Sequence, residues 1–250
     1  MNHNEITVTD SVFTEAFKRS MRLAKKTNGA FDPTIAPLIN YWGFGFEELK
    51  DKTIDHLKEY IGYEKVGIVN GRIVKSDPRV QLNFSAMRDG FSCELIARYL
   101  DGKGVENYMV DIGGEIITKG KNRVGEDWSV GIIKPPADSG KEESSRFETI
   151  LHLRGRTSLA TSGNYNNYRT RNGTRYGHAI SALTGMPVDN GILSATVMAS
   201  DCVTADAYAT AIMSVEKDKL NELLLTDSSL DYLLICKDES GNVSIKQSEG

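Results

Sequence analysis

One Ala-rich segment places an acid and a hydroxyl at a spacing that suits the binding of a hard cation. From Ser200 to Met213 the residues are mostly small or apolar, a composition that favours a helix. On a helix, Asp206 and Thr210 lie one turn apart and point in the same direction. Because Mg²⁺ prefers oxygen ligands and completes its shell with water and substrate phosphate, the pair is a candidate magnesium site. The alternative is a buried Asp that caps a turn and a Thr that bonds back to its own helix.

A short polar segment upstream of that helix carries groups that can bind an anion. Thr161, Ser162 and Gly163 offer hydroxyls and a glycine that lets backbone N–H groups approach phosphate closely, although such a segment is often only a turn. His178 follows among small residues. Since the ordinary pKa of histidine lies near neutrality, His178 is a candidate proton carrier or phosphate contact, and its alternative role is structural.

The middle of the chain predicts a strand, a helix and a second strand in succession. We expect the first strand at 80–84, the helix at 90–100 and the second strand at 108–112, which together form a βαβ-like unit. The turn over 83–90 leads into the helix, where backbone dipoles favour bound phosphate. Gly113-Gly114 ends the second strand, where the backbone can approach a ligand closely or form a β-bulge.

Taken in order, these segments resemble the ApbE family, the FAD:protein FMN transferases that are also described as flavin-trafficking proteins. The resemblance runs from about Ser11 to Val215 and therefore covers nearly the whole chain. Its motifs are Gly29-Ala30-Phe31-Asp32-Pro33-Thr34-Ile35-Ala36-Pro37-Leu38 with Trp42-Gly43-Phe44-Gly45, Asp111-Ile112-Gly113-Gly114-Glu115, Ser162-Gly163-Asn164-Tyr165, Gly177-His178-Ala179-Ile180 with Thr184-Gly185-Met186-Pro187, and Ala205-Asp206-Ala207-Tyr208-Ala209-Thr210-Ala211.

The resemblance implies transfer of FMN from FAD to a threonine of a partner flavoprotein, with release of AMP. By the same resemblance, Mg²⁺ is bound by Asp206, Thr210 and the backbone carbonyl of Ala86, and the catalytic residues are His178 and Asp206. The residues expected to bind the flavin nucleotide are Asp32, Trp42, Gly113, Gly114, Thr161, Ser162, Gly163 and His178.

Two positions depart from the family pattern. Asp89 occupies a position where relatives usually have a lysine close to the substrate, and a carboxylate there repels a pyrophosphate unless Arg88 compensates. Ser181-Ala182 stands where relatives usually show Asp-Pro or Asn-Pro. These departures favour a protein that binds or stores FAD without reacting. A further alternative to the transferase is a Mg²⁺-dependent pyrophosphatase, in which the same residues use water in place of the threonine and hydrolyse FAD to FMN and AMP.

Composition narrows the class of protein. The 250 residues, 40% of them hydrophobic, suffice for a substantial core, and a net charge of −4 argues against nucleic-acid binding. The sequence has neither a transmembrane run nor a secretory signal, and its three cysteines show no paired spacing. The sequence leaves the oligomeric state open. By resemblance, we expect the chain to lack the family's N-terminal portion, and full-length relatives to be exported to the periplasm and anchored at the membrane.

The candidate residues must be held by a fold that we expect to be α+β, a single domain over residues 1–250. Its sheet is predicted to be mixed or largely antiparallel and flanked by helices. Besides the elements above, the sequence predicts helices at 11–27, 53–60 and 220–224 and strands at 65–69, 72–75, 128–133, 232–236 and 243–245. Asn70-Gly71 predicts a hairpin turn, whereas the Pro- and Gly-containing stretch 31–46 is predicted to be irregular.

Overall fold

The computed structural model describes residues 10–47, 49, 51–134, 147–164, 168–171 and 174–248. The chain forms two compact units. The first comprises Met1–Met87, Asn167–Asn190 and Thr210–Ser228, and the second comprises Arg88–Asn166, Gly191–Ala209 and Ser229–Gly250. The prediction of one domain over residues 1–250 stays a prediction.

Helices and β-strands both contribute to the described part of the chain. The α-helices are α1 (Ser11–Lys26), α2 (Ala36–Tyr41), α3 (Ile54–Lys58), α4 (Ser85–Gly102), α5 (Cys202–Ser214) and α6 (Leu220–Leu224). The strands are β1 (Val66–Val69), β2 (Arg72–Lys75), β3 (Tyr108–Ile112), β4 (Glu115–Lys119), β5 (Trp128–Ile133), β6 (Phe147–Leu153), β7 (Thr157–Gly163), β8 (Tyr168–Arg171), β9 (Thr174–Gly177), β10 (Ile192–Ala199), β11 (Asp231–Lys237) and β12 (Val243–Gln247).

A six-stranded sheet in the order β12-β11-β10-β7-β4-β3 organises the second unit, and every neighbouring pair in it is antiparallel. β5 and β6 form a separate antiparallel pair in the same unit. Together with the helices, this sheet confirms the predicted α+β class with a largely antiparallel sheet.

The predicted βαβ-like unit is wrong. Its helix and second strand are present as α4 and β3, but residues 80–84 form no strand in the described part of the chain. β3 pairs with β4, which follows it in the sequence, in an antiparallel hairpin. The alternation that suggested a strand arises because Val80 and Leu82 are buried in the core of the first unit.

Local sequence signals place several elements of the first unit correctly. Asp10 caps α1 by accepting a hydrogen bond from the Phe13 amide at 2.7 Å, as helix N-caps commonly do. Asn70 and Gly71 both have positive φ, 49° and 72°, which gives the two-residue turn predicted between β1 and β2. The stretch 31–46, predicted to be irregular, contains the short helix α2. Its Pro37 lies in the first turn, where the helix requires no amide donor.

Each unit has an apolar core of its own. In the first unit, Phe17 of α1, Leu38 of α2 and Leu57 of α3 pack in one cluster. In the second unit, Cys93 and Ala97 of α4 pack with Cys202, the first residue of α5. No helix in the described ranges has both the length and the apolar character that a membrane span requires.

Candidate active site

The acid singled out from the sequence lies on the predicted helix and is buried. α5 begins at Cys202 and carries both Asp206 and Thr210, so the helix and its two candidate ligands are confirmed as neighbours on one element. Asp206 is 6% exposed. Its Oδ2 accepts a hydrogen bond from the Gly90 amide of α4 at 3.0 Å, which gives the carboxylate a fixed orientation.

Gly90 is required where α4 approaches the start of α5. A Cβ atom at this position would lie 2.6 Å from the carbonyl oxygen of Cys202 and 2.9 Å from the Cβ of Asp206, closer than real Cβ atoms come. The Gly90 amide is also the group that a regular helix directs at the carbonyl of Ala86, four residues earlier. In this structure the same amide donates to Oδ2 of Asp206 at 3.0 Å.

Asp206 and Glu115 are buried acids, and both have raised pKa values. Burial and the charges of Asp206 and Asp89 raise the pKa of Glu115 to about 8. Burial also raises the pKa of Asp206 to about 6; the Gly90 hydrogen bond opposes this shift and the Asp89 charge adds to it. At neutral pH, therefore, Glu115 holds a proton for much of the time, and a bound cation would favour the ionised form of each acid.

Glu115 was present in a recognised motif but was not predicted as a site residue. It opens β4, in which Ile116 and Ile117 are buried as well, and it is itself 8% exposed. A Cβ added to Gly113 would lie 3.2 Å from Oε2 of Glu115 and 3.6 Å from Oδ2 of Asp89. The absence of a side chain at Gly113 therefore makes room for both carboxylates. The available signal was an acid that follows a glycine pair and precedes two isoleucines at the start of a strand.

Asp89, the departure from the family lysine, is paired with its neighbour. Arg88 donates from Nε to Oδ1 of Asp89 at 2.8 Å and from its second guanidinium nitrogen to Oδ2 at 3.0 Å. This two-point pairing matches a planar guanidinium to a carboxylate and raises the pKa of Arg88. Arg88 therefore offsets part of the negative charge that Asp89 adds, as the sequence suggested it could.

The predicted magnesium ligands form an all-oxygen set. In the described part of the chain, no three His, Cys, Asp or Glu side chains converge to hold a metal ion, so a cation would need hydroxyl or backbone oxygens as well. The predicted set supplies one carboxylate, one hydroxyl and one carbonyl oxygen. Such a set suits Mg²⁺, whose remaining coordination positions are taken by water and phosphate. Asp206 belongs to the second unit, and Ala86 and Thr210 belong to the first. The complete set therefore stays a prediction.

Gly113-Gly114 forms a hairpin turn and not a bulge. The antiparallel register of β3 and β4 continues to the pair Ile112 and Glu115 on either side of it. Both glycines have positive φ, 73° and 110°, which the turn requires and which other residues rarely adopt. Asp111 Oδ1 accepts a hydrogen bond from the Gly114 amide at 3.2 Å.

Thr161, Ser162 and Gly163, predicted as a loop that could hold phosphate, lie in strand β7. This prediction of local structure is wrong, because the three residues pair with β10 in an antiparallel ladder. Thr161 Oγ1 also lies 2.9 Å from Thr196 Oγ1 across that ladder. On the opposite edge β4 pairs with β7 only from Thr157 to Leu159. The three residues therefore extend past the start of β4, on the side of the Gly113-Gly114 turn, within the second unit.

Asp32 in the first unit organises a turn with both of its carboxylate oxygens. Oδ1 accepts from the Thr34 amide at 2.7 Å and from the Thr34 hydroxyl at 2.6 Å, and Oδ2 accepts from the Tyr63 amide at 3.0 Å. Burial raises the pKa of Asp32 despite these hydrogen bonds. Its predicted contact with a flavin nucleotide stays a prediction.

Trp42 and His178, also in the first unit, lie on two segments that pack together. The indole Nε1 of Trp42 donates to the Gly185 carbonyl at 2.8 Å, and its ring lies 5.2 Å from that of Tyr176, two residues before His178. The His178 ring meets the Phe44 ring edge to face at 6.3 Å. The structure thus brings together the aromatic motif near Trp42 and the histidine motif, as their shared membership of one resemblance suggested.

The second departure, Ser181, keeps the turn that follows the histidine. Its Oγ accepts hydrogen bonds from the amides of Leu183 and Thr184 at 3.2 and 3.1 Å, and the Gly185 amide donates to its carbonyl at 2.8 Å. Asp and Asn side chains form the same kind of turn with their own oxygen atoms, so serine is a conservative change here. Tyr165, from the Ser-Gly-x-Tyr motif, lies outside the described residues.

A six-stranded antiparallel sheet with helices, and a buried acid oriented by a helix amide, define an α+β protein. The chain belongs to the ApbE family, whose model it matches over residues 1–234.

Three similar proteins place the chain within this family. It is 35% identical over 229 residues to the FAD:protein FMN transferase of Vibrio cholerae serotype O1, covering 90% of this chain and 66% of that protein. The Haemophilus influenzae FAD:protein FMN transferase is 33% identical over 235 residues, with the same coverage of 90% and 66%. The solved flavin transferase ApbE from Vibrio cholerae superposes with a TM-score of 0.83 at 31% identity, covering 99% of this chain and 79% of that one. The chain thus spans just under two thirds of the length of these curated relatives.

Proposed function

We propose that this chain transfers FMN from FAD to a threonine of a partner flavoprotein and releases AMP, in a reaction that requires Mg²⁺. Its similarity to the FAD:protein FMN transferases of Vibrio cholerae and Haemophilus influenzae supports the flavin transfer. The observation that carries the proposal is the Asp206 carboxylate, which is buried on α5, oriented by the Gly90 amide and raised in pKa to about 6 by its surroundings. Perturbed, buried acids of this kind are characteristic of functional sites.

In the proposed reaction, the threonine oxygen forms a bond to the phosphorus of the FMN portion, and the bond from that phosphorus to the AMP oxygen breaks. As this bond forms, the threonine hydroxyl loses its proton. We assign His178 either to accept that proton or to contact the phosphate. Phosphoryl transfers of this type depend chiefly on positioning and on stabilisation of charge, so no covalent intermediate with the protein is required.

The proposed metal ligands are Asp206, Thr210 and the carbonyl of Ala86. When bound, Mg²⁺ would neutralise the charge of the pyrophosphate. Asp206 contributes an oxygen whose direction is set by the Gly90 amide. Because burial and the Asp89 charge hold the pKa of Asp206 above its ordinary range, this carboxylate gains more from a cation than an exposed one would.

We assign the flavin nucleotide to the residues expected from the resemblance. In the second unit these are the Gly113-Gly114 turn and the end of β7 at Thr161, Ser162 and Gly163. In the first unit they are Asp32, Trp42 and His178. The open turn and the strand end leave backbone groups available close to each other, which supports their proposed role in holding a phosphate-containing ligand.

Asp89 favours a second candidate function. Its carboxylate raises the pKa of both Glu115 and Asp206, which shows that its charge is felt at the proposed metal ligand despite its pairing with Arg88. The same charge would weaken binding of a pyrophosphate. A protein that holds FAD without transfer is therefore the alternative outcome. Hydrolysis of FAD, with water in place of the threonine, is a separate outcome that the same metal ligands would allow.

The deciding experiment incubates the protein with FAD, with and without Mg²⁺, and with a flavin-accepting protein. AMP release and covalent flavin on the acceptor are followed together. Label on the acceptor with metal-dependent AMP supports the transferase, AMP without label indicates the pyrophosphatase, and FAD binding without AMP indicates the storage protein.

Asp206→Ala tests the metal assignment in the same assay. We expect it to lose Mg²⁺-dependent AMP release because it removes the proposed carboxylate ligand. Glu106→Gln is the matched control, since Glu106 is an exposed acid of the same unit and lies outside the proposed ligand set. A release rate of the Asp206 variant equal to that of the parent would contradict the assignment.

A further inference from the structure

The first turn of α5 is buried, so its backbone N–H groups need acceptors within the protein. A helix leaves its first N–H groups without intrahelical partners. Asp201, the residue before the helix, accepts from the Thr204 amide at 2.9 Å, as a local cap does. Cys202 has no exposed surface, and its amide donates to Oε1 of Glu94 at 2.8 Å. Glu94 belongs to α4, so a tertiary contact caps part of this helix.

Glu94 is a carboxylate placed inside the protein. It is 8% exposed, and a buried acid is costly unless it is hydrogen-bonded or paired. Among the described residues, no salt bridge neutralises it. The Cys202 amide is the partner that the structure gives to this carboxylate, and hydrogen bonds in which one partner is ionised are about twice as strong as neutral ones.

α4 and α5 meet through two polar contacts that run in opposite directions. The Gly90 amide of α4 donates to the Asp206 carboxylate, and the Glu94 carboxylate of α4 accepts from the Cys202 amide. Gly90 and Glu94 are four residues apart and therefore share one face of α4. The missing side chain of Gly90 lets the two helices approach closely between these contacts. α5 cannot rotate about its axis without breaking one of the two hydrogen bonds.

We infer that Glu94 is a positioning residue, which fixes the rotation of α5 and so holds the Asp206 carboxylate against the Gly90 amide. Glu94 acts through α5 and not on the nucleotide or the metal. The use of Asp206 as a metal ligand rests on the proposed function, whereas the two hydrogen bonds rest on geometry alone.

The test compares Glu94→Ala and Glu94→Gln with a control at the other end of the same helix. Asn190 is also buried, and its Nδ2 donates to the carbonyl oxygens of Ile212 and Val215 at 2.9 Å each, so Asn190→Ala removes support from the C-terminal end of α5. For each metal-free protein, the amide signals of Gly90 and Cys202 are recorded by NMR. Mg²⁺ affinity is then measured by calorimetry with the metal alone, and thermal unfolding is followed in parallel.

We expect Glu94→Ala to move the Gly90 amide signal and to weaken Mg²⁺ binding about tenfold, as loss of groups that orient a metal ligand typically does. Glu94→Gln keeps an oxygen acceptor and should remain close to the parent. Asn190→Ala should lower the unfolding temperature without moving the Gly90 signal or the Mg²⁺ affinity. If Glu94→Ala does not fold, Glu94→Asp, which withdraws the carboxylate by one methylene, takes its place.

An unchanged Gly90 signal in the Glu94 variant overturns the positioning role, as does a loss of Mg²⁺ affinity no greater than that of Asn190→Ala. If the parent binds no Mg²⁺ alone, the titration is repeated with FAD present, and no binding there contradicts the proposed metal site. The Gly90 signal then decides by itself whether Glu94 positions Asp206.

Discussion

Replacing Glu115 with glutamine should stabilise the metal-free protein at alkaline pH and leave it unchanged in acid. An acid whose pKa is raised in the folded protein keeps its proton there to higher pH than it does in the unfolded chain. Its effect on stability is therefore absent below about pH 4.5, and stability is lost as the pH rises through about 8. At 1.36 kcal/mol for each pKa unit, the difference between the ordinary 4.5 and about 8 corresponds to at most about 5 kcal/mol. Asp89 is partly exposed and paired with Arg88, so its charge acts on Glu115 less than a bare buried charge would. We therefore expect Glu115→Gln to raise the free energy of unfolding by about 2 kcal/mol at pH 9.

The measurement is urea unfolding of Glu115→Gln and its parent at pH 5, 7 and 9 in the presence of a chelator. Trp128 lies in the second unit and its indole donates to the Lys119 carbonyl of β4, so its fluorescence in a Trp42→Phe background reports this unit. Glu106→Gln, at an exposed glutamate of the same unit, is the control. A gain in stability that is the same at pH 5 and pH 9, or no gain at all, would refute the argument that burial and neighbouring charge hold the proton on Glu115.

Two further substitutions test the same group of residues. Asp89→Lys removes a negative charge that contributes to the raised pKa of Glu115 and Asp206. It should lower the FAD concentration needed for half-maximal AMP release. If neither that concentration nor the rate changes, Asp89 is not the limiting defect. Gly90→Ala places a Cβ against the Cys202 carbonyl and should destabilise the protein by about 1–3 kcal/mol in urea unfolding, as overpacking usually does, so an unchanged midpoint would contradict the close helix contact.

The sequence predicted the elements whose signals are local. α1, the β1–β2 hairpin and α5 follow from a helical recurrence of apolar residues, an Asn-Gly turn and an Ala-rich composition, each of which acts within a few residues. Residues 80–84 show the limit of this reasoning. An extended segment with alternate buried residues satisfies the same pattern as a strand, and only the presence of a neighbouring strand distinguishes the two.

The same distinction between local signals and contacts with distant residues applies to the candidate site. Asp206 was found because helical spacing and a motif both pointed to it, whereas the assignment of Thr161 to a loop failed because a small polar segment can also form a strand. Glu115 was missed because its raised pKa arises from burial and from the charges of Asp206 and Asp89, which are distant from it in the sequence. Glu94 was missed for the same reason: a glutamate in an amphipathic helix gives no sign that it will accept a hydrogen bond from another helix.

The free-energy cost of burying Asp206 and the acids around it is itself an argument for a bound ligand. Burial raises the pKa of both Glu115 and Asp206, the Asp89 charge adds to both shifts, and of these three acids only Asp89 has a salt bridge within the described residues. A fold under selection for stability alone would replace Glu115 or Asp206 with a neutral residue, because a buried acid that must give up its solvation needs a partner. The Gly90 amide and the Glu94 contact instead hold Asp206 in one orientation. A carboxylate that is both destabilised and precisely oriented is stabilised most by a cation that arrives with its substrate, as the proposed reaction requires.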